Sequence, residues 1–445
     1  MNDVIIIGAG PGGYETAILA AEKGLKTKLI EKRELGGTCL NRGCIPTKTL
    51  LHASEFLNTE EYAKLGLSGN RPQLDLKQLQ AYKNEVIEKL RSGIELQLKK
   101  AKVELIHGNA QIVGAHQVAV NGEILEAEHI ILASGSRPSM PSFLPRLKNV
   151  MTSDELLEYD QPIRHLVIIG GGVIGMEFAS VYHAMGSKVS VIEAQDQLLP
   201  AMDKEIALKL KMLMNKRGID IHTAAKVAGI EPGLKITYFE KECEHTIECD
   251  AILAAVGRQP NVDSLWTNVN LEVKNGRLTV NEYYQTSAPS VYAIGDVNKE
   301  MMLAHAAVAQ GKKVLEHILH ETPKVDLTLV PSCVYTNPEI ASVGLTLEMA
   351  KSRGISVIAM KALMSANGKS VLSQQESGFV KLIVDEESGR LLGAHLFCER
   401  ASDMISELTL AISAGLTVDQ LASVIHPHPT FSEAIASAAM QKKRK

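Results

Sequence analysis

The chain has 445 residues, too many for a single hydrophobic core, so we expect two to four domains. Its 47 basic and 51 acidic residues nearly balance, which excludes the strongly basic surface that nucleic-acid binding requires. Four glycines, Glu177 and His183 interrupt the apolar stretch from Leu166 to Met185, so we expect no membrane-spanning segment. A strand begins at Val4 and leaves no room for a signal peptide, which favours a cytoplasmic protein.

The first predicted elements form a nucleotide-binding unit. They are a buried strand over 4–7, a turn with Gly8, Gly10 and Gly13, a helical pattern over 14–23 and a strand over 27–30. Glycines in such a turn allow a tight bend, close approach of a pyrophosphate and close helix packing, while the helix N-terminus attracts phosphate. Glu31 follows the second strand, where an acidic side chain bonds ribose hydroxyls.

Two cysteines, Cys39 and Cys44, come directly after this unit. In an ideal helix their Cα atoms would lie about 8 to 9 Å apart, whereas a disulfide needs roughly 4.4 to 6.8 Å. A bond between them therefore requires a bent or tightened helix, which Gly43 and Pro46 permit. We interpret the pair as a redox-active disulfide that exchanges electrons with a flavin. The alternative is two small core residues.

The nucleotide-binding unit occurs a second time. It consists of a strand over 166–169, a turn with Gly170, Gly172 and Gly175, a helix to residue 185 and a strand over 188–192 that ends at Glu193. The interval from first glycine to acid is 23 residues in both units, 8 to 31 and 170 to 193. A single glycine-rich turn is a weak signal, but two in full strand, turn, helix, strand and acid context predict two dinucleotides on one chain.

Position predicts which dinucleotide binds to which unit. The cysteines follow the first unit, and a flavin both exchanges electrons with thiols and accepts hydride, whereas nicotinamide does only the latter. We therefore expect FAD at the first unit and NAD(H) at the second. Glu193 would repel a 2′-phosphate and residues 194–196 offer no arginine to bind one, so NAD is favoured over NADP.

The C-terminal part has its own pattern. Strand-like runs at 341–344, 380–384 and 393–397 precede helical patterns at 401–414 and 431–440, which predicts an α+β layer. The remaining cysteines are expected to be small core residues: Cys243, Cys249, Cys333 and Cys398. Cys243, His245 and Cys249 lack a second ligand pair at zinc spacing, so we expect no metal site.

Four further runs complete a recognisable pattern. They are Ile131–Pro138 with Ser134 and Gly135, Ala255–Asn261 with Gly257, Val291–Asp296, and His426–Glu433. Together with the cysteine run, they make the chain resemble the pyridine nucleotide-disulfide oxidoreductases over essentially all of its length. The sequence departs from the usual family pattern at Ser134, where threonine is more common, and at Pro427, which separates the two histidines and stiffens the approach to His428.

The resemblance implies an α/β fold with two Rossmann-like dinucleotide-binding domains and a C-terminal α+β dimerisation domain. The FAD domain would comprise residues 1–145 and 275–329, the NAD domain 146–274 and the dimerisation domain 330–445. Further cofactor contacts implied by the resemblance involve Gly108 at the adenosine half, Ser134, Gly135 and Gly257 in the quoted runs, Asp296 at the flavin ribitol, and Ala304 within Leu303–His305 against the isoalloxazine.

The resemblance also gives the two cysteines different roles. Cys39 would be the interchange thiol that meets the substrate, and Cys44 the charge-transfer thiol beside the flavin. Lys48 lies four residues after Cys44, on the same face of a helix. Its ammonium would favour a thiolate and, as in the family, pair with Glu177 beside the flavin. The alternative for Lys48 is a solvated helix lysine.

His428 is the predicted acid/base, because only a few percent of a thiol with a pKa near 8.5 is ionised at pH 7. His426 is the rival histidine and is expected to pack or bond locally. Glu433 would orient His428, as a carboxylate does in a catalytic triad. The alternative for Glu433 is a capping box with Thr430 for the last helix. The resemblance implies that His428 completes the site of the partner subunit, so that a homodimer is the catalytic unit.

The implied activity is oxidation of protein-bound dihydrolipoyl groups to lipoyl disulfide with reduction of NAD to NADH, through Cys39, Cys44 and FAD. The implied partners are lipoyl domains of a 2-oxo acid dehydrogenase complex or the glycine cleavage system. One alternative is a related NAD(P)H-dependent reductase of another small disulfide. Glutathione- and mercury-reducing members normally carry arginines after the second acid or a C-terminal cysteine pair, and neither occurs here. The other alternative is mainly a docking subunit of a 2-oxo acid dehydrogenase complex.

Overall fold

The computed structural model describes residues 1–57, 64–69, 72–145 and 147–441. The α-helices in this part of the chain are Pro11–Glu22, Gly37–Arg42, Cys44–Glu55, Leu76–Lys100, Ser153–Leu157, Val173–Ala184, Lys204–Lys216, Ala304–Ile318, Leu347–Ser352, Gly368–Leu372, Ala401–Ser413, Val418–Ala422 and Glu433–Ala439. Short 3₁₀ helices span Gly295–Val297 and Met364–Ala366. Within the described residues, no helix is long and apolar enough to cross a membrane.

The first sheet is built around the strand Asn2–Ile7, whose residues 4 to 6 are completely buried. Its strands, in spatial order, are Glu104–His107, Thr27–Glu31, Asn2–Ile7, Glu123–Leu132, Gln117–Val120 and Gln111–Gly114. The C-terminal half of Glu123–Leu132 also pairs in parallel with Val291–Ala293, so the chain returns to this sheet after a long excursion. A noncontiguous first domain requires such a return, and the predicted bounds of that domain, 1–145 with 275–329, stay a prediction.

The second sheet repeats the parallel arrangement. Its strands, in spatial order, are Asp220–His222, Lys188–Ile192, His165–Ile169, Ala251–Ala254 and Val150–Met151. An antiparallel three-stranded sheet adjoins it, with strands Ala225–Glu231, Lys235–Glu240 and Cys243–Glu248. Apolar side chains cover both faces of the parallel strands, which is why they appear in the sequence as continuous apolar runs rather than alternating ones.

The C-terminal region forms an antiparallel sheet with helices packed on it. Its strands, in spatial order, are Ser332–Val334, Glu339–Gly344, Leu391–Cys398, Phe379–Asp385 and Val357–Leu363. Helices Ala401–Ser413 and Glu433–Ala439 pack against this sheet and share its core. Two short antiparallel pairings complete the described strands: Ser136–Pro138 with the distant Arg258–Pro260, and Val273–Lys274 with Arg277–Leu278 in a hairpin.

The predicted elements of both nucleotide units and of the C-terminal layer are present, with bounds shifted by one or two residues at most ends. The last helix begins later than predicted, at Glu433 rather than residue 431. The periodicity also missed whole strands, including Val357–Leu363 and the three strands between residues 225 and 248. These are partly exposed strands, so their apolar residues do not form the continuous buried runs that marked the parallel sheets.

Candidate active site

The two glycine turns have the same steric design. Gly8 and Gly170 have φ angles of +103° and +112°, which favour glycine. A Cβ on Gly13 would overlap the Gly8 carbonyl oxygen, and one on Gly175 would overlap that of Gly170. Close packing of helix on turn therefore requires glycine at both positions.

The middle glycine of each turn serves a different purpose. A Cβ added to Gly10 or Gly172 would meet no atom within 4 Å. Each of these glycines is the N-cap of a twelve-residue helix, Pro11–Glu22 or Val173–Ala184, and neither helix start has a side-chain cap. Open backbone at a helix N-terminus fits the pyrophosphate of a dinucleotide. The residues of both turns are thus suited to hold FAD and NAD.

The acid at the end of each unit supports its own turn. Glu31 accepts hydrogen bonds from the backbone N–H of Ala9 (2.6 Å) and Arg33 (2.7 Å). Glu193 accepts equivalent bonds from Gly171 (2.6 Å) and Gln195 (2.7 Å). A carboxylate has about four acceptor positions, so each side chain retains capacity for ribose hydroxyls.

The cysteine segment departs from one continuous helix at Gly43. Helix Gly37–Arg42 ends there and helix Cys44–Glu55 begins there. A Cβ on Gly43 would lie 3.0 Å from the Thr38 carbonyl oxygen and 3.3 Å from the Cys39 Cα, so the close return of the chain favours glycine. Pro46 lies in the first turn of the second helix, where proline is tolerated, and takes no part in the break.

The two sulfurs lie within hydrogen-bonding distance as free thiols. The pKa of Cys44 is lowered to about 7, because the Cys39 thiol donates to its sulfur and the Lys48 charge adds to this effect, against desolvation and the charge of Glu177. The pKa of Cys39 is raised by the same hydrogen bond and by burial. Cys44 is also the first residue of its helix, where a thiolate is stabilised. The dithiol is therefore electronically asymmetric.

Lys48 forms an ion pair with Glu177 across two parts of the fold. Its Nζ lies 2.9 and 2.8 Å from the two Glu177 carboxylate oxygens, and the Glu177 side chain is only 4% exposed. The backbone N–H of Tyr335 donates to the same carboxylate at 3.1 Å, and the Lys48 ammonium lies 4.4 Å from the centre of the Tyr335 ring. No pattern in the sequence points to Tyr335, because its contribution depends on the C-terminal sheet approaching the cysteine helix.

Asp296 lies in a polar network with two residues that the sequence reasoning missed. The Ser136 hydroxyl donates to Asp296 Oδ2 at 2.5 Å, and Arg258 donates to that hydroxyl at 2.7 Å. Ser134 and Asn261, which flank two short paired strands, form two hydrogen bonds with each other. The antiparallel pairing of Ser136–Pro138 with Arg258–Pro260 brings these motif runs together. The sequence motifs contain Ser136 and Arg258, but only the pairing of the two strands shows that these residues form a network with Asp296.

The remaining predicted cofactor contacts line the same cleft as both glycine turns, Cys39 and Cys44. These residues are Gly108, Ser134, Gly135, Gly257, Asp296, Ala304 and Glu193. The cleft has a volume of about 2130 Å³, and it runs from the first turn past the dithiol to the second. Cys333 also lines this cleft and is half-buried. A single cleft therefore contains two nucleotide cradles and the dithiol between them.

His428 lies elsewhere in the chain. Its side chain is 77% exposed, and Nδ1 lies 2.9 Å from Glu433 Oε1. Glu433 Oε2 also accepts the backbone N–H of Thr430 at 2.8 Å, and these two bonds lower the Glu433 pKa, the Thr430 bond most. The helix begins at Glu433 with Ser432 as its N-cap. Of the predicted capping box, only the bond from the Thr430 N–H to Glu433 is therefore present, while the Thr430 hydroxyl donates to the Pro427 carbonyl. His428 does not line the cleft of its own chain.

The rival histidine and the other cysteines have local environments. His426 contacts Glu407 Oε1 at 3.0 Å and the Val424 carbonyl oxygen at 3.1 Å, as the prediction of local bonding requires. Cys398 is buried, but Cys243 is exposed at the start of its strand, so its assignment to the core was wrong. Among the described residues, no three histidine, cysteine or acidic side chains are arranged to hold a metal ion.

Comparison with known families places this geometry in context. Residues 2–311 match the family model described as pyridine nucleotide-disulphide oxidoreductase, and residues 330–439 match the dimerisation domain of that family. A dihydrolipoyl dehydrogenase from Thermus scotoductus is 40% identical over 447 residues, covering 98% of this chain and 96% of the relative. One from Bacillus subtilis is 40% identical over 464 residues, covering 98% and 97%.

Solved structures share the whole architecture. The HOCl-induced flavoprotein disulfide reductase RclA from Escherichia coli superposes with a TM-score of 0.88 at 29% identity, covering 98% of this chain and 99% of the other. LpdA from Mycobacterium tuberculosis superposes with a TM-score of 0.89 at 27% identity, covering 99% of both chains.

Proposed function

The chain belongs to the pyridine nucleotide-disulphide oxidoreductase family, and from that premise we propose that it is a dihydrolipoyl dehydrogenase. It oxidises dihydrolipoyl groups to lipoyl disulfide and reduces NAD to NADH, with FAD as its flavin. The family, the fold class and the two cofactors agree with those predicted from the sequence. The observation that carries the proposal is the asymmetric Cys39–Cys44 dithiol between two dinucleotide cradles.

The asymmetry of the thiols supports a direction for the exchange. In the oxidised enzyme, a substrate thiolate attacks Cys39, a bond forms between those sulfurs, and Cys44 leaves as a thiolate. A leaving thiol with a low pKa departs faster, and Cys44 has the lower pKa of the pair. The second substrate thiol, once deprotonated, then attacks the first, so that lipoyl disulfide leaves and Cys39 takes up a proton. FAD and NAD, when bound, would supply the two-electron acceptors that restore the disulfide.

His428 is the proton acceptor for the substrate thiols, and Glu433 holds its ring through Nδ1, leaving Nε2 free. A homodimer is the assembly that the dimerisation domain at 330–439 supports. We place His428 at the cleft of the second subunit. This placement is supported by its exposure and by Ile425, three residues earlier, whose exposed fraction is 95%. An isoleucine exposed to that extent gains from burial against another copy.

The dihydrolipoyl groups that fit this role are those attached to the lipoyl domains of a 2-oxo acid dehydrogenase complex or of the glycine cleavage system. We place the enzyme in the cytoplasm, because six cysteines in 445 residues is an ordinary content for a reducing compartment.

The proposal is tested with purified holoenzyme under anaerobic conditions. Dihydrolipoamide with NAD should give rapid NADH formation, whereas glutathione in place of dihydrolipoamide, or NADP in place of NAD, should give at least tenfold lower rates. Efficient turnover of another disulfide with NADPH, together with no turnover of dihydrolipoamide, would refute the substrate assignment.

Cys44→Ser tests the dithiol relay. We expect dihydrolipoamide turnover to fall by about a thousandfold or more, because no disulfide can form. Cys243→Ser is the matched control, since that thiol is exposed on a distant strand and its loss should leave turnover unchanged. Steady-state NADH formation measures both variants. Full activity of Cys44→Ser would exclude the relay.

A further inference from the structure

One carboxylate in the nucleotide cleft has an oxygen without a protein donor. Asp154 lies in the short helix Ser153–Leu157 and lines the cleft. Its Oδ1 is buried, yet no described residue donates a hydrogen bond to it. Nearly all buried polar atoms in folded proteins have a hydrogen-bond partner, and an unpaired one costs free energy. A carboxylate oxygen in this position is therefore suited to accept a hydrogen bond from a molecule bound in the cleft.

The start of its own helix does not require the Asp154 carboxylate. Thr152 is the N-cap, and the Glu155 carboxylate accepts hydrogen bonds from the Thr152 backbone N–H at 2.6 Å and from the Thr152 hydroxyl at 2.9 Å. In such a capping box, the third helical residue supports the N-cap. Asp154 is the second helical residue, so capping does not explain why an acid is placed in the cleft.

The charges around Asp154 come in large part from the first nucleotide site. Burial raises the pKa of the Asp154 carboxyl, and the charges of Arg258, Arg42 and Arg33 oppose this rise. All three arginines line the cleft. Arg33 and Arg42 follow Glu31, the acid of the first unit. Although Asp154 directly precedes the second unit in the sequence, it is therefore close to the first.

The element on which this helix packs connects the first glycine turn with the dithiol. It is helix Gly37–Arg42. The helix begins against the turn, since a Cβ on Gly37 would lie 2.6 Å from the Gly10 Cα. It also carries Cys39. Asp154 thus lies beside the stretch of cleft between the first turn and the redox pair.

The order of chemical groups in FAD matches this position. With the pyrophosphate at the first glycine turn and the isoalloxazine beside the dithiol, the ribitol chain lies between them. A carboxylate repels the phosphates, whereas the hydroxyls of the ribitol chain can donate hydrogen bonds to it. A ribitol hydroxyl is therefore the donor that suits the unpaired Asp154 oxygen.

We propose that Asp154 binds FAD directly, by accepting a hydrogen bond from a hydroxyl of the ribitol chain. Asp154 follows strand Val150–Met151 of the second parallel sheet. The contact would thus attach the cofactor of the first unit to the sheet of the second. The inference rests on the proposed placement of FAD at the first glycine turn.

The test is the rate at which FAD leaves the diluted holoenzyme, followed by the rise in flavin fluorescence. Loss of a hydrogen bond to a charged acceptor should make Asp154→Leu release FAD about tenfold to a hundredfold faster than the wild type. Asp154→Asn keeps an acceptor oxygen, so its rate should stay within about threefold of the wild type. Equally fast release from both variants would mean that the Asp154 charge acts on the arginines, and would overturn the FAD contact.

Glu155→Leu is the matched control. It removes the capping carboxylate of the same helix, and Glu155 does not line the cleft. FAD release from this variant should therefore stay at the wild-type rate. If Glu155→Leu released FAD as fast as Asp154→Leu, the effect would come from the helix and the proposed contact would be wrong.

FAD analogues that each lack one ribitol hydroxyl identify the partner atom. Wild-type enzyme reconstituted with the relevant analogue should release it at least tenfold faster than FAD, whereas Asp154→Leu should release that analogue and FAD at equal rates. If the wild type released every such analogue at the FAD rate, the ribitol contact would be refuted even if Asp154→Leu failed to fold. A coupled effect only with an analogue that lacks a hydroxyl of the adenosine ribose would also refute it.

A further variant separates this inference from the placement of FAD. Gly10→Val adds a side chain where the first turn is open. FAD release should be faster than in the wild type. If the rate were unchanged, the placement of FAD itself would be wrong, whatever the result for Asp154.

Discussion

At the scale of single residues, the site depends on unequal partners. Cys39 and Cys44 are identical side chains, yet the pKa of one is raised and that of the other lowered to about 7, because one thiol donates to the other and Lys48 lies beside the acceptor. The nearby Glu177 opposes that effect. Within the Lys48–Glu177 pair, Lys48 therefore lowers the Cys44 pKa and Glu177 raises it.

Lys48→Met and Glu177→Gln should change Cys44 in opposite directions. Wild-type alkylation of Cys44 by iodoacetamide in the reduced enzyme should be half-maximal near pH 7, since the thiolate is the reactive form. Removing the lysine charge moves that midpoint to higher pH, and removing the carboxylate charge moves it to lower pH. Peptide mapping by mass spectrometry measures the rates. Lys100→Met, on a distant helix, should have no effect; midpoints moving in the same direction would contradict the assignment.

At the scale of elements, the decisive feature is the break between helices Gly37–Arg42 and Cys44–Glu55. It shortens the path between two cysteines that one helix would hold apart, and it puts Cys44 at a helix start. The two nucleotide cradles also depend on glycine, since each packs a helix onto a turn through glycine–glycine contact. In all three places, backbone approaches backbone too closely for a side chain.

Gly43→Ala should damage the dithiol more than the fold. Its new Cβ would lie 3.0 Å from a carbonyl oxygen, so residues 38 and 39 must shift relative to Cys44. We expect dihydrolipoamide turnover at least tenfold below wild type and incomplete disulfide formation in a thiol titration. Gly93→Ala is the control, because it lies within helix Leu76–Lys100 with open space around it. It should keep full activity and gain about 0.5 to 1 kcal/mol of stability. Equal effects would refute the steric account.

At the scale of the whole molecule, the C-terminal sheet is tied to the nucleotide half by a buried ion pair. Lys381 Nζ lies 2.5 Å from Asp203 Oδ1, with side chains 4% and 1% exposed. Asp203 also caps helix Lys204–Lys216 next to Met202, which lines the cleft. The pair therefore links the orientation of the C-terminal region to one wall of the nucleotide cleft.

Lys381→Met should lower stability by about 3 to 5 kcal/mol, because it leaves a buried carboxylate without its cation. Adding Asp203→Asn should recover part of this loss, since asparagine keeps the helix cap without the charge. Thermal unfolding midpoints measure both variants. Lys361→Met removes a more exposed partner of Glu205 and should cost less than about 1 kcal/mol. Strictly additive effects of the two changes at Lys381 and Asp203 would exclude the pair as the cause.

Hybrid dimers test whether the active site spans two subunits. Cys44→Ser and His428→Gln homodimers should both be nearly inactive. A hybrid of one subunit of each kind contains one site with an intact dithiol and an intact histidine, so it should recover about half of the wild-type activity per dimer. Differently tagged subunits allow purification of the hybrid. An inactive hybrid would place His428 in the site of its own chain.

The sequence alone was sufficient where function constrains closely spaced residues. The duplicated interval from Gly8 to Glu31 and from Gly170 to Glu193 predicted two dinucleotide units, because strand, turn, helix and acid must follow one another at fixed lengths. The spacing of Cys39 and Cys44 predicted a break in the helix, and Gly43 is its position. These constraints act between residues that are close in the sequence, so the sequence alone is enough to detect them.

Only the tertiary structure decided which distant residues meet. The contact of Tyr335 with Lys48 depends on how sheets pack, and the network of Ser136 and Arg258 with Asp296 depends on how strands pair. The exposed position of Cys243 could not be inferred either, because burial is a property of the assembled core rather than of residue type. The Cys44 pKa depends on both kinds of contact. Cys39 and Lys48, which lower it, are close in the sequence, whereas Glu177, which opposes them, is brought there only by the fold.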